Sequence, residues 1–222
     1  ELERPGHVLQ AAGEALVEPH HVARPVALRR ERGQQTAIVL AATVIAVTIT
    51  PAAQSQDRFT LTSSNGIAFS EFKGYDAWQL IATSQHDGKE GCGTSPDGCA
   101  KAILGNAIMI QAYRDGIPAN GKPVPDGAAM AKIEWLKGTD EASPYQITVP
   151  GAQTEVAFML KDSKRFKSTN GWGYATLQYD AASNIYKLHA GQSNPSFARA
   201  CDACHTVGAK TTDFVYTSFA RR

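Results

Sequence analysis

Cys201, Cys204 and His205 carry the strongest chemical signal in the sequence, in the run Cys201-Asp202-Ala203-Cys204-His205. Two thiols separated by two residues match the two vinyl groups of one haem. A histidine beside the second thiol then falls beneath the iron as an axial ligand. A structural zinc site is one alternative, and it requires two further ligands close by. A thioredoxin-like redox pair is another. It wants a βαβ context early in a domain, whereas this motif comes late in the sequence. The reading adopted is covalent haem c, with Cys201 and Cys204 as attachment points and His205 as the iron ligand.

Such attachment fits an exported chain. Arg29, Arg30 and Arg32 precede an uncharged apolar stretch from Ala37 to Val47, and small residues follow at Ala52, Ala53 and Ser55. This pattern predicts a signal peptide over residues 29–55 and a periplasmic mature protein. A membrane anchor is the competing reading. However, Ala37–Thr50 spans 14 residues, short of the roughly 20 that cross a bilayer. Residues 1–28 begin with Glu1, carry mixed charge and contain Pro5, Pro19 and Pro25. They are read as a non-functional leader.

Residues 56–222 remain as a single domain, long enough to bury a core. They hold 17 Lys and Arg against 16 Asp and Glu, with no basic run or stripe. That balance points away from nucleic acid, and from a membrane surface once the signal is cleaved. Small molecules and redox proteins are the partners expected. Cys92 and Cys99 bracket a turn-rich Gly-Thr-Ser-Pro-Asp-Gly segment. In an oxidising compartment they read as a disulfide, with two free thiols as the alternative. Closing so short a loop contributes about 2–3 kcal/mol, a local staple. No histidine follows either cysteine, so a second haem is not expected.

The elements that must position the motif read as α+β: an antiparallel sheet packed with flanking helices, with the haem motif on a C-terminal helix. Asp76–Thr83 reads as a helix end running into a strand, and Ala100–Asn106 as a short strand. Ala107–Arg114 is one or two helical turns closed by Asp115-Gly116, before a Pro/Gly loop over Ile117–Asp126. Gly127–Lys137 alternates as a strand that places Met130, Lys132 and Glu134 on one face. A linker around Thr139–Tyr145 follows, then strands at Glu155–Lys161, Tyr174–Tyr179 and Ile185–His189, with a turn at Asp180–Asn184.

Three strings make the chain resemble the cytochrome P-460 family and the related cytochrome c′-beta. Pro125-Asp126-Gly127-Ala128-Ala129-Met130-Ala131-Lys132-Ile133-Glu134 is similar to the family's D-G-x-x-x-x-K-x-E strand. Leu160-Lys161-Asp162-Ser163-Lys164-Arg165-Phe166, with Gly171-Trp172-Gly173-Tyr174, is similar to its K-D-x-x-R-F and glycine–tryptophan segments. The third is C-x-x-C-H followed by Asp213-Phe214-Val215-Tyr216-Thr217-Ser218-Phe219. The resemblance covers roughly 70–222. It implies that Lys132 bonds covalently to the porphyrin edge, which requires a free amine. Desolvation on an apolar face favours that amine, and Glu134 is the candidate catalytic residue that positions Lys132 or takes its proton. A solvated strand lysine is the plain alternative, and cytochrome c′-beta shares the fold without the bond.

The resemblance also implies five-coordinate iron with His205 on one side, hydroxylamine or nitric oxide as the small nitrogen ligand, a soluble cytochrome as electron acceptor, and a homodimer. The rival is a sixth protein ligand from His86, His189, Met109, Met130 or Met159, none of which sits in a motif. Hydroxylamine-oxidising members carry an arginine before the short helix and a glutamate on the strand before K-D-x-x-R-F. Here those places read Ile103-Leu104-Gly105-Asn106 and Val156-Ala157-Phe158-Met159. Glu155 lies one residue off, and a one-residue shift reverses the face of a strand. The expectation is therefore a pocket lined by Phe158 and aliphatic groups, with Glu155 turned away. An oxidoreductase and a non-enzymatic nitric oxide binder both follow from these features. Lys132 favours the first and the apolar strings the second.

Overall fold

Side-chain alternation along three successive strands gives this protein two different interiors, one on each face of a single sheet. The computed structural model describes residues 57–88, 92, 95 and 97–220. The expected leader and signal peptide, residues 1–28 and 29–55, lie outside the described residues. Among the described residues no helix is long and apolar enough to cross a membrane.

Six antiparallel strands run in sequence order across the sheet. They are β1 (Gln79–His86), β2 (Cys99–Gly105), β3 (Ala129–Thr139), β4 (Thr148–Lys161), β5 (Trp172–Asp180) and β6 (Ile185–Leu188). Helix α1 (Ala107–Arg114) joins β2 to β3, and helix α2 (Phe197–Ala209) follows β6. This is the α+β arrangement expected, with short 3-10 turns before β1 in place of a longer helix end. Strand β4 begins seven residues earlier than Glu155, at Thr148, and β3 runs to Thr139. Pro150 and Gly151 lie within β4, where the ladder shifts register between Trp135 and Lys137 and accommodates them.

On one face Ala129 and Ala131 of β3, Val156, Phe158 and Leu160 of β4, and Ala175 and Leu177 of β5 meet the segment before β1. Phe158 stacks on Phe72 at 4.3 Å and meets Phe69 and Tyr75 edge-on. Small residues on β3 and β5 leave room for these rings. On the other face Met130, Tyr174 and Trp172 pack with α1, Ala198 of α2 and Val215. Asn106 caps α1 by accepting from the Met109 N–H at 2.9 Å, and its Oδ1 also accepts from Ala129 N–H at 3.1 Å. The cap thus ties α1 to the start of β3.

Cys92 and Cys99 form the expected disulfide, which ends at the first residue of β2. At the β4–β5 end, a Cβ on Gly173 would lie 2.5 Å from two Phe166 ring atoms and 2.8 Å from Ile67 Cδ1. Gly173→Ala therefore forces two buried rigid side chains apart and should cost about 1–3 kcal/mol. A lowered urea midpoint at unchanged m-value is the outcome expected; an unchanged midpoint contradicts this packing.

Candidate haem site

Spacing places the three motif side chains together. In a helix, positions i, i+3 and i+4 share one face, so Cys201, Cys204 and His205 of α2 all border one cavity of about 490 Å³. That volume lies in the range of cofactor-sized pockets, about 300–1,000 Å³. Neither thiol is in a disulfide. Burial pushes the Cys201 thiol up, so it rests protonated. Among the described residues no cluster of three His, Cys, Asp or Glu side chains could hold a bare metal ion.

His205 is fixed in one tautomer. Its Nδ1 lies 2.6 Å from the Phe214 carbonyl oxygen, which only accepts, so Nδ1 carries the proton and Nε2 keeps its lone pair. Burial also pulls the imidazole pKa down, favouring the neutral ligand form. The Phe214 carbonyl is held in turn by its neighbour. Asp213 and Phe214 both adopt the left-handed conformation, with φ of 46° and 65°, which a phenylalanine takes only under constraint.

The constraint comes from a buried ion pair. Lys161 Nζ lies 2.9 Å from Asp213 Oδ2 and 3.1 Å from Oδ1, with both side chains largely buried. Asp213 Oδ2 also accepts from Val124 N–H at 2.8 Å, and Trp172 Nε1–H donates to the Asp213 carbonyl at 2.8 Å. Lys161 further lies 4.9 Å above the Trp172 ring. Three parts of the chain thus hold the residue that precedes the carbonyl orienting His205. Tyr216 closes the same end, its hydroxyl donating to the Cys204 carbonyl at 2.7 Å and its ring meeting His205 edge-on at 4.9 Å. Gly208 makes this approach possible, since a Cβ there would collide with the Tyr216 hydroxyl oxygen.

The facing wall comes from the sheet. Met130 and Lys132 of β3 and Glu155, Ala157 and Met159 of β4 line the cavity. Antiparallel register pairs Lys132 with Ala157 and Glu134 with Glu155, so all four point to the same side. Lys132 Nζ sits between the two carboxylates, 3.7 Å from Glu134 Oε2 and 3.5 Å from Glu155 Oε1. Lys101 Nζ approaches Glu134 Oε2 at 3.6 Å. Glu134 is buried, and desolvation pushes its carboxyl pKa up while pushing the Lys101 ammonium down. At these separations, longer than a hydrogen bond, attraction does not offset burial for either group.

The expected orientation of β4 was therefore inverted. Glu155 faces the cavity beside Lys132, whereas Phe158 borders it only with its ring turned away into the aromatic core. Glu134 reaches Lys132 as expected but does not line the cavity. The segment before α1 contributes Ile103, while Asn106 is occupied as a cap. Among the candidate sixth ligands, His189, Met130 and Met159 border the cavity. His189 Nδ1 accepts from Gly191 N–H at 3.1 Å. His86 is exposed on the edge strand, and Met109 is fully buried on the inner face of α1. Tyr174, which the sequence marks only as part of the Gly171-Trp172-Gly173-Tyr174 string, also lines the cavity, with its ring 5.2 Å from His205.

A family model for cytochrome P460 matches residues 72–217, a span that contains both walls of this cavity. The chain belongs to the cytochrome P460 family. No significant match was found among curated proteins. Cytochrome P460 membership implies a c-type haem, its iron, and a redox role toward nitrogen compounds. The donor set fits that group: two thiols three residues apart, an imidazole with Nε2 available, and an otherwise mostly apolar cavity.

The anchoring network yields a direct test. Asp213→Ala leaves Lys161 buried without its partner, which should cost about 3–5 kcal/mol. The melting temperature is expected to fall sharply, and Lys161→Met in the same chain should recover part of the loss. Equal melting of Asp213→Ala and the native protein would contradict the network.

Proposed function

We propose that this chain is a periplasmic haem oxidoreductase for small nitrogen compounds, taking electrons from hydroxylamine and passing them to a soluble cytochrome. In this reading Cys201 and Cys204 hold the haem by thioether bonds, and His205 binds the iron through Nε2. In the same reading His189, Met130 and Met159, although they border the cavity, would leave the iron a position open to a small ligand. When bound, the haem supplies an iron centre that takes up a small nitrogen ligand and accepts its electrons.

One observation carries the reading. Lys132 and Glu155 lie 3.5 Å apart in the same cavity as Cys201, Cys204 and His205. A substrate bearing N–H and O–H protons must lose them as it is oxidised, and the Glu155 carboxylate is a proton acceptor at the cavity wall. Before any cross-link forms, the Lys132 ammonium holds that carboxylate in place. Lys132 is also the residue to which we assign the family's porphyrin cross-link. Its proton then has acceptors on either side, in Glu134 and Glu155. The buried Glu134, whose pKa is raised, acts as a positioning group that does not touch substrate.

A second reading, nitric oxide sequestration without turnover, draws support from the apolar majority of the wall, including Ile103, Met130, Ala157 and Met159. Glu155→Gln separates the two. The oxidoreductase reading expects hydroxylamine oxidation to drop by about 10²–10⁴-fold with nitric oxide binding retained. No turnover by the native protein would leave the binding reading.

The attachment chemistry is tested independently. Cys201→Ala or Cys204→Ala should lose one thioether, so that intact mass or acidic solvent extraction distinguishes each variant from the native protein. A tryptic digest should return a haem-bearing peptide containing both the Cys201–His205 run and the strand with Lys132. Lys132→Ala and Lys132→Arg should then give an ordinary c-type spectrum, since a guanidinium does not supply a free amine. Haem on the C-terminal peptide alone would remove the cross-link.

A further inference from the structure

Helix α2 turns Cys201 and His205 toward the cavity and a second face toward solvent. Arg199, Ala203, Val207 and Lys210 are spaced four, four and three residues apart, which puts them on one side of the helix. Lys210 caps α2 while keeping helical dihedrals, so it continues that row. All four are exposed, and so is Cys204 beside them. Val207 is 90 % exposed, more than any other large apolar side chain among the described residues. Tyr216, whose hydroxyl lies over Gly208, adds a half-exposed ring next to it.

The rim of this face is positive. Arg199 and Lys210 stand at its two ends, and Lys167 is exposed on the 3-10 turn Lys167–Thr169 that packs against α2. Among the described residues none of these three side chains has an ion-pair or hydrogen-bond partner. The one acid of the helix, Asp202, is half-buried and accepts from Asn170 Nδ2 with both carboxylate oxygens. An apolar centre inside a charged rim is the anatomy of a protein-docking surface.

Charge selects the occupant. A second copy of this chain, related by a two-fold axis, would lay the helices antiparallel and set each Arg199 beside a Lys210. Like charges so placed oppose the contact. A protein with carboxylates around an apolar centre meets no such opposition.

We propose that this face docks an electron-carrier protein with an acidic surface, Val207 and Tyr216 seating its apolar centre and Arg199, Lys167 and Lys210 its carboxylates. The inference rests on the reading that haem is attached at Cys201 and Cys204. In that reading the exposed Cys204 brings one haem bond to the surface that the carrier covers. One electron then leaves ferrous haem, which becomes ferric, and reduces the oxidised carrier.

The test uses haem-loaded protein and two carriers of opposite charge, acidic plastocyanin and basic mitochondrial cytochrome c. Intact mass first establishes covalent haem. A native protein without it overturns the underlying reading, whereas the outcomes below address this face alone. In stopped flow, oxidation of the reduced native protein by plastocyanin is expected to slow about tenfold or more as salt is raised. The rate with cytochrome c should not fall. A plastocyanin rate indifferent to salt overturns the proposal without any variant. Arg199→Glu combined with Lys210→Gln should lower the plastocyanin rate at low salt by about tenfold or more. Val207→Asp should erase the chemical-shift changes that the native protein induces in isotope-labelled plastocyanin, a reading independent of turnover. These positions are exposed, so an unchanged melting temperature is expected in each variant. Rates or shift changes that survive the substitutions overturn the proposal. A native dimer that Val207→Asp splits gives the face to a second copy and overturns it too.

Discussion

The Lys161–Asp213 ion pair is the constraint on which the site's geometry depends. It joins the last residue of β4 to the segment after α2, across 52 positions of sequence. A charged pair this deep gives little net stability, because desolvation consumes most of the attraction. Its effect is positional. With Asp213 gripped by a lysine, a backbone amide and an indole, the chain accepts two consecutive left-handed residues. The Phe214 carbonyl then meets His205 Nδ1, and the imidazole has one tautomer and one orientation. A histidine oriented by a hydrogen bond to its second ring nitrogen is a general device at metal sites, and here the bond that orients His205 is anchored in the sheet itself.

The sheet divides two incompatible tasks between its faces. One face needs a dry aromatic interior to hold six strands together, and Phe69, Phe72, Tyr75 and Phe158 supply it. The other face tolerates Lys132, Glu134 and Glu155 because lysines and carboxylates meet there as a cluster. Two carboxylates directly opposite each other in a ladder repel. Lys132, lying between them, is what makes that pairing bearable. The same lysine is the one to which the proposed reading gives the porphyrin bond, so in that reading structural and functional demands fall on one side chain.

Much of this was legible in the residues. The C-x-x-C-H spacing placed three groups on one helix face, the period-two pattern put Lys132 and Glu134 on one side of β3, and Cys92 with Cys99 read as a bridge. The orientation of β4 was not legible, because strand facing is set by its partners. Glu155 faces inward because it pairs with Glu134, and Phe158 faces outward because the segment before β1 brings aromatic rings with no periodic signal. The extra length of β4 was not legible, because Pro150 and Gly151 fit a strand only where the facing strand shifts register. Tyr174 and Asp213 stand in strings that mark the family, but their contacts with His205 and Lys161 lie far away in sequence and the strings do not record them.

The strand order has a consequence for assembly. Each strand pairs only with its neighbour in sequence, so every ladder can form as soon as its second strand is present. Helix α2 comes after all six strands. As the chain emerges from its N-terminal end, the wall bearing Lys132 and Glu155 is complete before Cys201 and Cys204 arrive. Cys204 remains exposed on that late helix. The last part of the molecule to take its place is thus the helix to which the proposed reading gives haem attachment, and the scaffold that receives it is already built.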